Sequence, residues 1–272
     1  MTLLQALILG IVQGATEYIP VSSSAHLVLV PWLLGWPDPS FAFEVLVQWG
    51  TLVGLFVFFW RDIVAIVKAV VLGLVARDPL GTFDAKLGWM VFVASIPAAI
   101  AGLLFKDYFE IAYSMPVLVG ILLSLNALVL VIGERFGKPE QELTKMSWLD
   151  SVIIGVWQIA AIFPGISRSG STITGGMLRT YTRPAAARFS FLMSIPIMLG
   201  AGVVALKDLF DSGTMAAQLP AITVGFIAAA ISGYICIRWL LRYLQSHSLY
   251  VFAVYCVGVS VLTVVVAFFR YA

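Results

Sequence analysis

Pro164-Gly165-Ile166-Ser167-Arg168-Ser169-Gly170-Ser171-Thr172 sets an arginine, four hydroxyls and two glycines inside an otherwise apolar segment of an otherwise apolar chain. In hydrocarbon an ionisable side chain costs upward of ~2.5 kcal/mol, so an arginine there points to a functional site with an anionic partner. The surrounding chain supports the membrane reading. Its 272 residues are 61% hydrophobic and 11% charged, with a mean hydropathy of +1.02. A soluble domain carries about 25% charged residues. The composition is that of an all-α polytopic membrane protein.

Working outward, apolar runs long enough to cross a bilayer lie at about Phe43 to Trp60, Leu87 to Phe105, Met115 to Gly133, Ala185 to Leu206, Leu219 to Leu241 and Leu249 to Phe269. Two further apolar regions are interrupted. Leu3 to Leu34 contains Glu17, Pro20, Ser22, Ser23, Ser24 and His26, and Leu149 to Leu178 contains the opening stretch. Irregular backbone at membrane depth survives only where protein buries it or a wet cavity receives it, so both regions read as re-entrant helix-loop-helix hairpins. Ile63 to Ala76, short and flanked by charges, reads as an interfacial helix.

The two interrupted regions resemble each other. Gly10-Ile11-Val12-Gln13 aligns with Gly155-Val156-Trp157-Gln158, and after a one-residue gap Pro20-Val21-Ser22-Ser23 with Pro164-Gly165-Ile166-Ser167; Phe43 matches Phe189, Gly54 matches Gly200, and Arg61-Asp62 matches Lys207-Asp208. Each half, about 1–137 and 148–272, is one hairpin followed by three spans, with Glu134 to Ser147 as the linker of a single membrane domain. Three is odd, so the second half enters the membrane inverted. With the termini on one face, that face holds Lys106, Lys207 and Arg270. The opposite face holds Arg61, Lys68, Arg77, Lys86, Arg135, Lys138, Lys145, Arg179, Arg183, Arg238 and Arg242. The excess of basic residues places the linker in the cytoplasm and both termini outside it. The hairpin tips then meet near the midplane.

Serines at the two tips are favoured N-caps, and a helix N-terminus presents free N–H groups and the positive end of a dipole. Two such ends facing one cavity suit an anion. Arg168 adds a planar fork for phosphate oxygens, while Gly165 and Gly170 permit close backbone approach. Ser22, Ser167, Ser169 and Thr172 complete the candidate binding set, with Gln13. In the first hairpin Gln13 and Glu17 share a helix face, and His26 follows. Carboxylate, imidazole and serine are the parts of nucleophilic or general-base hydrolysis. Glu17 beside a phosphate calls for a divalent cation, with Gln13 as a second ligand; Glu44 is another candidate ligand. Plainer readings exist for each feature: Glu17 and Arg168 as a packing ion pair, His26 as a hydrogen-bonded core residue, and Glu44, Arg188, Gln48 and Asn126 as polar packing. His247 reads as solvated, and Cys236 and Cys256 as small core residues. The net charge of +2, without basic runs, excludes a nucleic-acid partner. Met1 to Gln5 lack the basic start of a cleavable signal, so the N-terminus is read as mature structure.

Gln13 to His26, read as Gln-Gly-Ala-Thr-Glu-Tyr-Ile-Pro-Val-Ser-Ser-Ser-Ala-His, resembles the first signature of the bacterial undecaprenyl-diphosphate phosphatases, also known as bacitracin-resistance proteins. Pro164 to Thr172 resembles their second, and Phe43-Glu44-Val45 and Arg188-Phe189-Ser190-Phe191 are similar to further family stretches. Where the family often has glutamate, this chain has Gln13. The resemblance implies hydrolysis of undecaprenyl diphosphate to undecaprenyl phosphate and phosphate in the bacterial plasma membrane, recycling the carrier for cell-wall synthesis. It further implies a site open to the outer face, Mg²⁺ or Ca²⁺ dependence, bacitracin resistance, and essential roles for Glu17 and Arg168. Ser23 is the preferred nucleophile, with His26 as its base or the leaving-group acid; direct attack by water is the variant. The rival expectation is a lipid-phosphate transporter that uses the inverted repeat for alternating access. The oligomeric state is left open.

Overall fold

The computed structural model describes residues 1–105, 111–211 and 213–271. Lys106, used above to orient the chain, lies outside them, as does the side chain of Asp208 from the repeat alignment. Among the described residues the fold is helical without a strand; the nearest approach to one is a single parallel bridge between Gln141 and Tyr181.

Eleven helices are described in full: α1 (Leu3–Glu17), α2 (Ser23–Leu34), α3 (Phe41–Phe58), α4 (Trp60–Val75), α5 (Phe83–Leu104), α6 (Pro116–Phe136), α7 (Trp148–Ala160), α8 (Arg168–Leu178), α9 (Arg183–Asp211), α10 (Met215–Tyr243) and α11 (Tyr250–Tyr271). Local sequence sets many of these limits. Thr2 and Gln5 form a capping box before α1. The side chains of Ser22, Ser40, Thr82, Ser147 and Ser167 each accept a backbone N–H in the first turn of the helix that follows. Gly35, in left-handed backbone at φ 66°, ends α2.

Six helices, α3, α5, α6, α9, α10 and α11, are long and apolar enough to cross a membrane, in the regions read as spans from the sequence. Several are longer than their apolar runs, because polar end residues continue the helix; α10 extends from Met215 to Tyr243. Their outward faces stay hydrophobic: Ile227, Ile231, Ile235 and Trp239 form an exposed stripe one turn apart along α10. Such a surface matches lipid as solvent. Helix α4 buries no residue completely and lays Ile66 and Val70 against Gly88 of α5.

The four remaining helices form two helix-loop-helix pairs, α1–α2 and α7–α8. At 15 and 13 residues, α1 and α7 reach about 22 and 20 Å. A hydrocarbon core is ~30 Å thick, more than the length of either helix. Helix α1 packs against α10, and α7 against α5. Both contacts run through glycine. A Cβ on Gly10 would stand 2.3 Å from the Gly225 carbonyl oxygen, and one on Gly155 would stand 2.3 Å from that of Ala94. Helix α3 uses Gly50 and Gly54 in the same way against α10. Backbones approach this closely in membranes where small residues line the contact.

The polar linker docks at one end of the bundle. Glu140 and Gln141 donate backbone N–H groups to the Thr180 carbonyl, and Glu134 accepts from Arg183 and from the Leu249 N–H. Asp150 receives Arg179 Nε at 2.5 Å and the Tyr181 hydroxyl at 2.7 Å, anchoring the base of the second hairpin.

Candidate active site

The tips of the two pairs touch. Helix α1 places Gln13 and Glu17 one turn apart, and Gln13 Nε2 donates to Glu17 Oε2 at 2.9 Å. The chain turns through Tyr18 to Ser22 and starts α2 at Ser23, whose Oγ donates to the same carboxylate oxygen at 2.6 Å. From the other tip, Arg168 Nη2 reaches Glu17 Oε1 at 3.1 Å, and Nη1 donates to the Ser190 carbonyl at 3.0 Å. The ion pair is nearly enclosed, with 14% of the Arg168 side chain and 7% of that of Glu17 exposed. Those bonds occupy two of the five donors of a guanidinium, and the others are available to an oxyanion.

The second tip serves mainly to hold this arginine. Ser167 caps α8, accepting the Gly170 N–H at 3.1 Å, and its Oγ pairs with Ser169 Oγ at 3.0 Å. Ser169 shares its hydroxyl proton between the Glu17 and Ile19 carbonyls, each at 3.3 Å, joining the loops directly. Thr172 Oγ1 lies 2.7 Å from the Arg168 carbonyl and 2.6 Å from Ser190 Oγ. Gly165 sits at φ +110°, where a Cβ would meet Val119 and Leu122 of α6, and a Cβ on Gly170 would meet Asn126 Oδ1 at 2.7 Å. The close approach these glycines allow is therefore to α6.

Asn126 joins the two loops. Its Nδ2 donates to the Pro20 carbonyl at 3.0 Å, and its Oδ1 accepts the Ser167 N–H at 3.1 Å. It is the chain's only asparagine, set in the middle of an apolar span, and that was its signal in the sequence. Polar packing describes it correctly, but what it packs together is the site.

His26 is buried on α2, and its ring nitrogens bond elsewhere than to Ser23. Its Nδ1 lies 2.7 Å from the Ser22 carbonyl oxygen and its Nε2 lies 2.7 Å from the Tyr255 hydroxyl on α11. The expected Ser23–His26 pair is not formed in this arrangement, and the partner of the Ser23 hydroxyl is Glu17. Ser22 holds its N-cap role at φ 68°, a left-handed conformation rare outside glycine, with its Oγ 3.1 Å from Ser24 Oγ. Tyr255 and Ser190 were not singled out from the sequence. A tyrosine on a lipid-length apolar helix carries no local mark of its partner 229 positions away.

Of the weaker candidates, Arg188 pairs with Asp62 at 2.8 Å, tying α9 to the start of α4, and Glu44 stands in the first turn of α3. His247 is exposed beside Ser246 and Tyr243, and both cysteines are free. The donors around Glu17 suit a hard cation in type: one carboxylate, the Ser23 hydroxyl, and Gln13 Oε1, which is buried without a hydrogen-bond partner among the described residues. No cluster of three His, Cys, Asp or Glu exists among the described residues. Any Mg²⁺ or Ca²⁺ would therefore need phosphate and water oxygens as its further ligands, the usual arrangement for Mg²⁺.

A helical bundle with six candidate spans, and with a carboxylate, a serine and an arginine gathered from two short hairpins, defines a polytopic membrane protein with one internal polar site. The match to the family model described as bacitracin resistance protein BacA covers residues 6–262, and the chain belongs to that family. It is similar to proteins named undecaprenyl-diphosphatase from several bacteria. It is 44% identical to that of Myxococcus xanthus over 266 residues, which cover 97% of this chain and 89% of that protein. It is 46% identical to that of Chlorobium limicola over 94% of this chain and 93% of its relative. It is 40% identical to that of Thermomicrobium roseum over 99% of this chain and all of its relative.

Proposed function

We propose that this chain is an integral membrane phosphatase that hydrolyses undecaprenyl diphosphate to undecaprenyl phosphate and phosphate, returning the lipid carrier to cell-wall synthesis and conferring bacitracin resistance. The observation that carries this reading is the convergence of Ser23 Oγ and Arg168 Nη2 on the two oxygens of Glu17 from separate hairpins. The prenyl tail stays in lipid while the diphosphate enters between the tips. Ser23 Oγ attacks the terminal phosphorus and yields its proton to Glu17 Oε2. The bond from phosphorus to the bridging oxygen breaks, and its electron pair leaves with undecaprenyl phosphate. Water then hydrolyses the phosphoseryl ester, releasing phosphate and restoring the serine. Arg168 neutralises charge on the transferring group, the main task in phosphoryl transfer. Ser22, Ser167, Ser169, Gly165, Gly170 and Thr172 hold the two loops and the arginine in register. Glu17 and Gln13 Oε1 would hold Mg²⁺ or Ca²⁺, which when bound supplies further positive charge to the phosphates.

The two halves are read as an inverted repeat, supported by the reciprocal docking of α1 on α10 and α7 on α5. The basic-residue bias supports a plasma-membrane topology with both termini outside the cytoplasm and the site opening to the outer face. Phosphate release tests the activity: purified protein in detergent micelles with Mg²⁺ should liberate phosphate from a prenyl diphosphate, where no second compartment exists. No release there, together with transport of a prenyl phosphate in vesicles that Arg168→Ala abolishes, would establish the transporter reading instead. A Ser23→Ala protein that still released phosphate at the normal rate would remove the serine route.

A further inference from the structure

We infer that Tyr255 is the positioning residue of His26: its hydroxyl donates to Nε2 and so holds the imidazole neutral, protonated on Nδ1, at the edge of the site. A backbone carbonyl can only accept, so the 2.7 Å contact between Nδ1 and the Ser22 oxygen requires a proton on Nδ1. In the neutral ring that leaves Nε2 with a lone pair, and the Tyr255 hydroxyl at 2.7 Å is the donor that fills it. The two ring planes lie within 9° of parallel with centroids 5.6 Å apart. The Ser22 carbonyl is presented by that residue's left-handed backbone, and it also accepts the His26 backbone N–H at 3.3 Å.

Each end of this chain of bonds is fixed by the fold. Helix α11 is held to the first loop one residue further on, where Asn126 Nδ2, already bound to the Pro20 carbonyl, reaches Cys256 Sγ at 3.4 Å. Tyr255 itself is half exposed, while His26 is buried. The phenol thus delivers its one polar atom to a buried nitrogen that would otherwise lack a partner among the described residues. With both nitrogens occupied, His26 has no acceptor for Ser23. In the phosphatase reaction proposed above it acts as an oriented neutral ring whose bond to the Ser22 carbonyl steadies the turn that carries Ser23. This inference rests on that reaction only for its kinetic consequence.

The chain has two histidines, which makes the pair directly observable. Protein labelled with ¹⁵N-histidine in a His247→Gln background gives the resonances of one imidazole. At neutral to mildly alkaline pH the expected spectrum shows a protonated Nδ1 and an unprotonated, hydrogen-bonded Nε2. In Tyr255→Phe the Nε2 resonance should move toward that of a free imine nitrogen while Nδ1 stays in place. A proton on Nε2 in the parent protein overturns the inference without any variant being made, and so does an Nε2 resonance that Tyr255→Phe leaves unmoved. Phosphate release gives the second readout. Tyr255→Phe should lower kcat about tenfold, the rate equivalent of one lost hydrogen bond, with KM within about twofold. An unchanged kcat denies the positioning role. Absence of release from the parent protein would fail the phosphatase reading and leave the spectroscopic result to decide the His26–Tyr255 pair.

Discussion

In the first hairpin Gln13 is followed one helical turn later by Glu17; in the second, Gln158 is followed one turn later by Ile162. The glycine three residues before each glutamine and the capping serine nine residues after it, Ser22 and Ser167, recur in both, with the proline one residue nearer the glutamine in the second hairpin. The exchange of Glu17 for Ile162 has a physical consequence. Gln13 Nε2 donates to the carboxylate, whereas Gln158 is buried with neither side-chain polar atom partnered among the described residues. The second tip instead carries Arg168, whose guanidinium crosses to Glu17. One frame has been used for the acid and the other for the base of a single ion pair, so neither hairpin holds a complete site.

The sharpest way to break this division is to remove the crossing charge. Arg168→Ala should reduce phosphate release by about a thousandfold, the upper range for loss of one preorganised donor at a developing anion. Arg168→Lys should recover only part, since an ammonium is a point charge without the fork that spans Glu17 and the Ser190 carbonyl. Rates in micelles at saturating substrate measure both. Equal rates for Arg168→Ala and the parent would return the ion pair to a packing role.

Next in size is the link between the tips. Asn126→Ala leaves the Pro20 carbonyl and the Ser167 N–H buried without partners, and each such loss costs roughly 1–3 kcal/mol. A thermal unfolding midpoint lower by several degrees is expected, together with kcat reduced by ten- to a hundredfold as the loops lose register. Activity and stability should fall together here, unlike at Arg168.

These residues also mark how far the sequence was legible. The six spans and the two short hairpins could be read because hydrocarbon thickness fixes helix length and penalises polar atoms, so Glu17, Arg168 and the tip serines stood out against their surroundings. Apart from the Glu17–Arg168 ion pair, which was among the plainer readings, pairing across distant segments could not be read. Asn126, weighed as ordinary packing, joins Pro20 to Ser167, and Tyr255 looked like any aromatic on an apolar helix. Glu17 was identified, but its bond to Ser23 was not, because i to i+6 contact across a turn depends on the loop path. Gly165 and Gly170 were marked for close approach to an anion, whereas the close approach seen in the fold is to α6.

The glutamines offer a finer test of the two frames. Gln13→Leu removes a carboxylate partner and a candidate cation ligand, and should lower activity about tenfold. Gln158→Leu removes only unpartnered polar atoms from a buried position, so activity should stay within about twofold and stability should rise by about 1 kcal/mol. A loss of activity from Gln158→Leu that matched the loss from Gln13→Leu would mean that the two frames share a duty, and the asymmetry argued above would fail.

The smallest expected effect lies at the base of the second hairpin. Burial works to raise the Asp150 carboxyl, but hydrogen bonds from Ser147, Tyr181 and Arg179, with the charge of that guanidinium, outweigh it and hold the group below the ordinary carboxylate range. A carboxyl lowered on folding contributes stability that is present above its unfolded value of about 3.9 and is lost as pH falls through the folded value. Asp150→Asn should therefore lower the unfolding midpoint at pH 7, and the gap from the parent protein should close as the pH is taken below about 4. Phosphate release at pH 7 should change little, because Asp150 bonds to Arg179 and Tyr181 and makes no bond to Glu17 or Arg168. A gap that stayed constant down to acid pH would show that Asp150 acts through its shape and hydrogen bonds alone, and not through its charge.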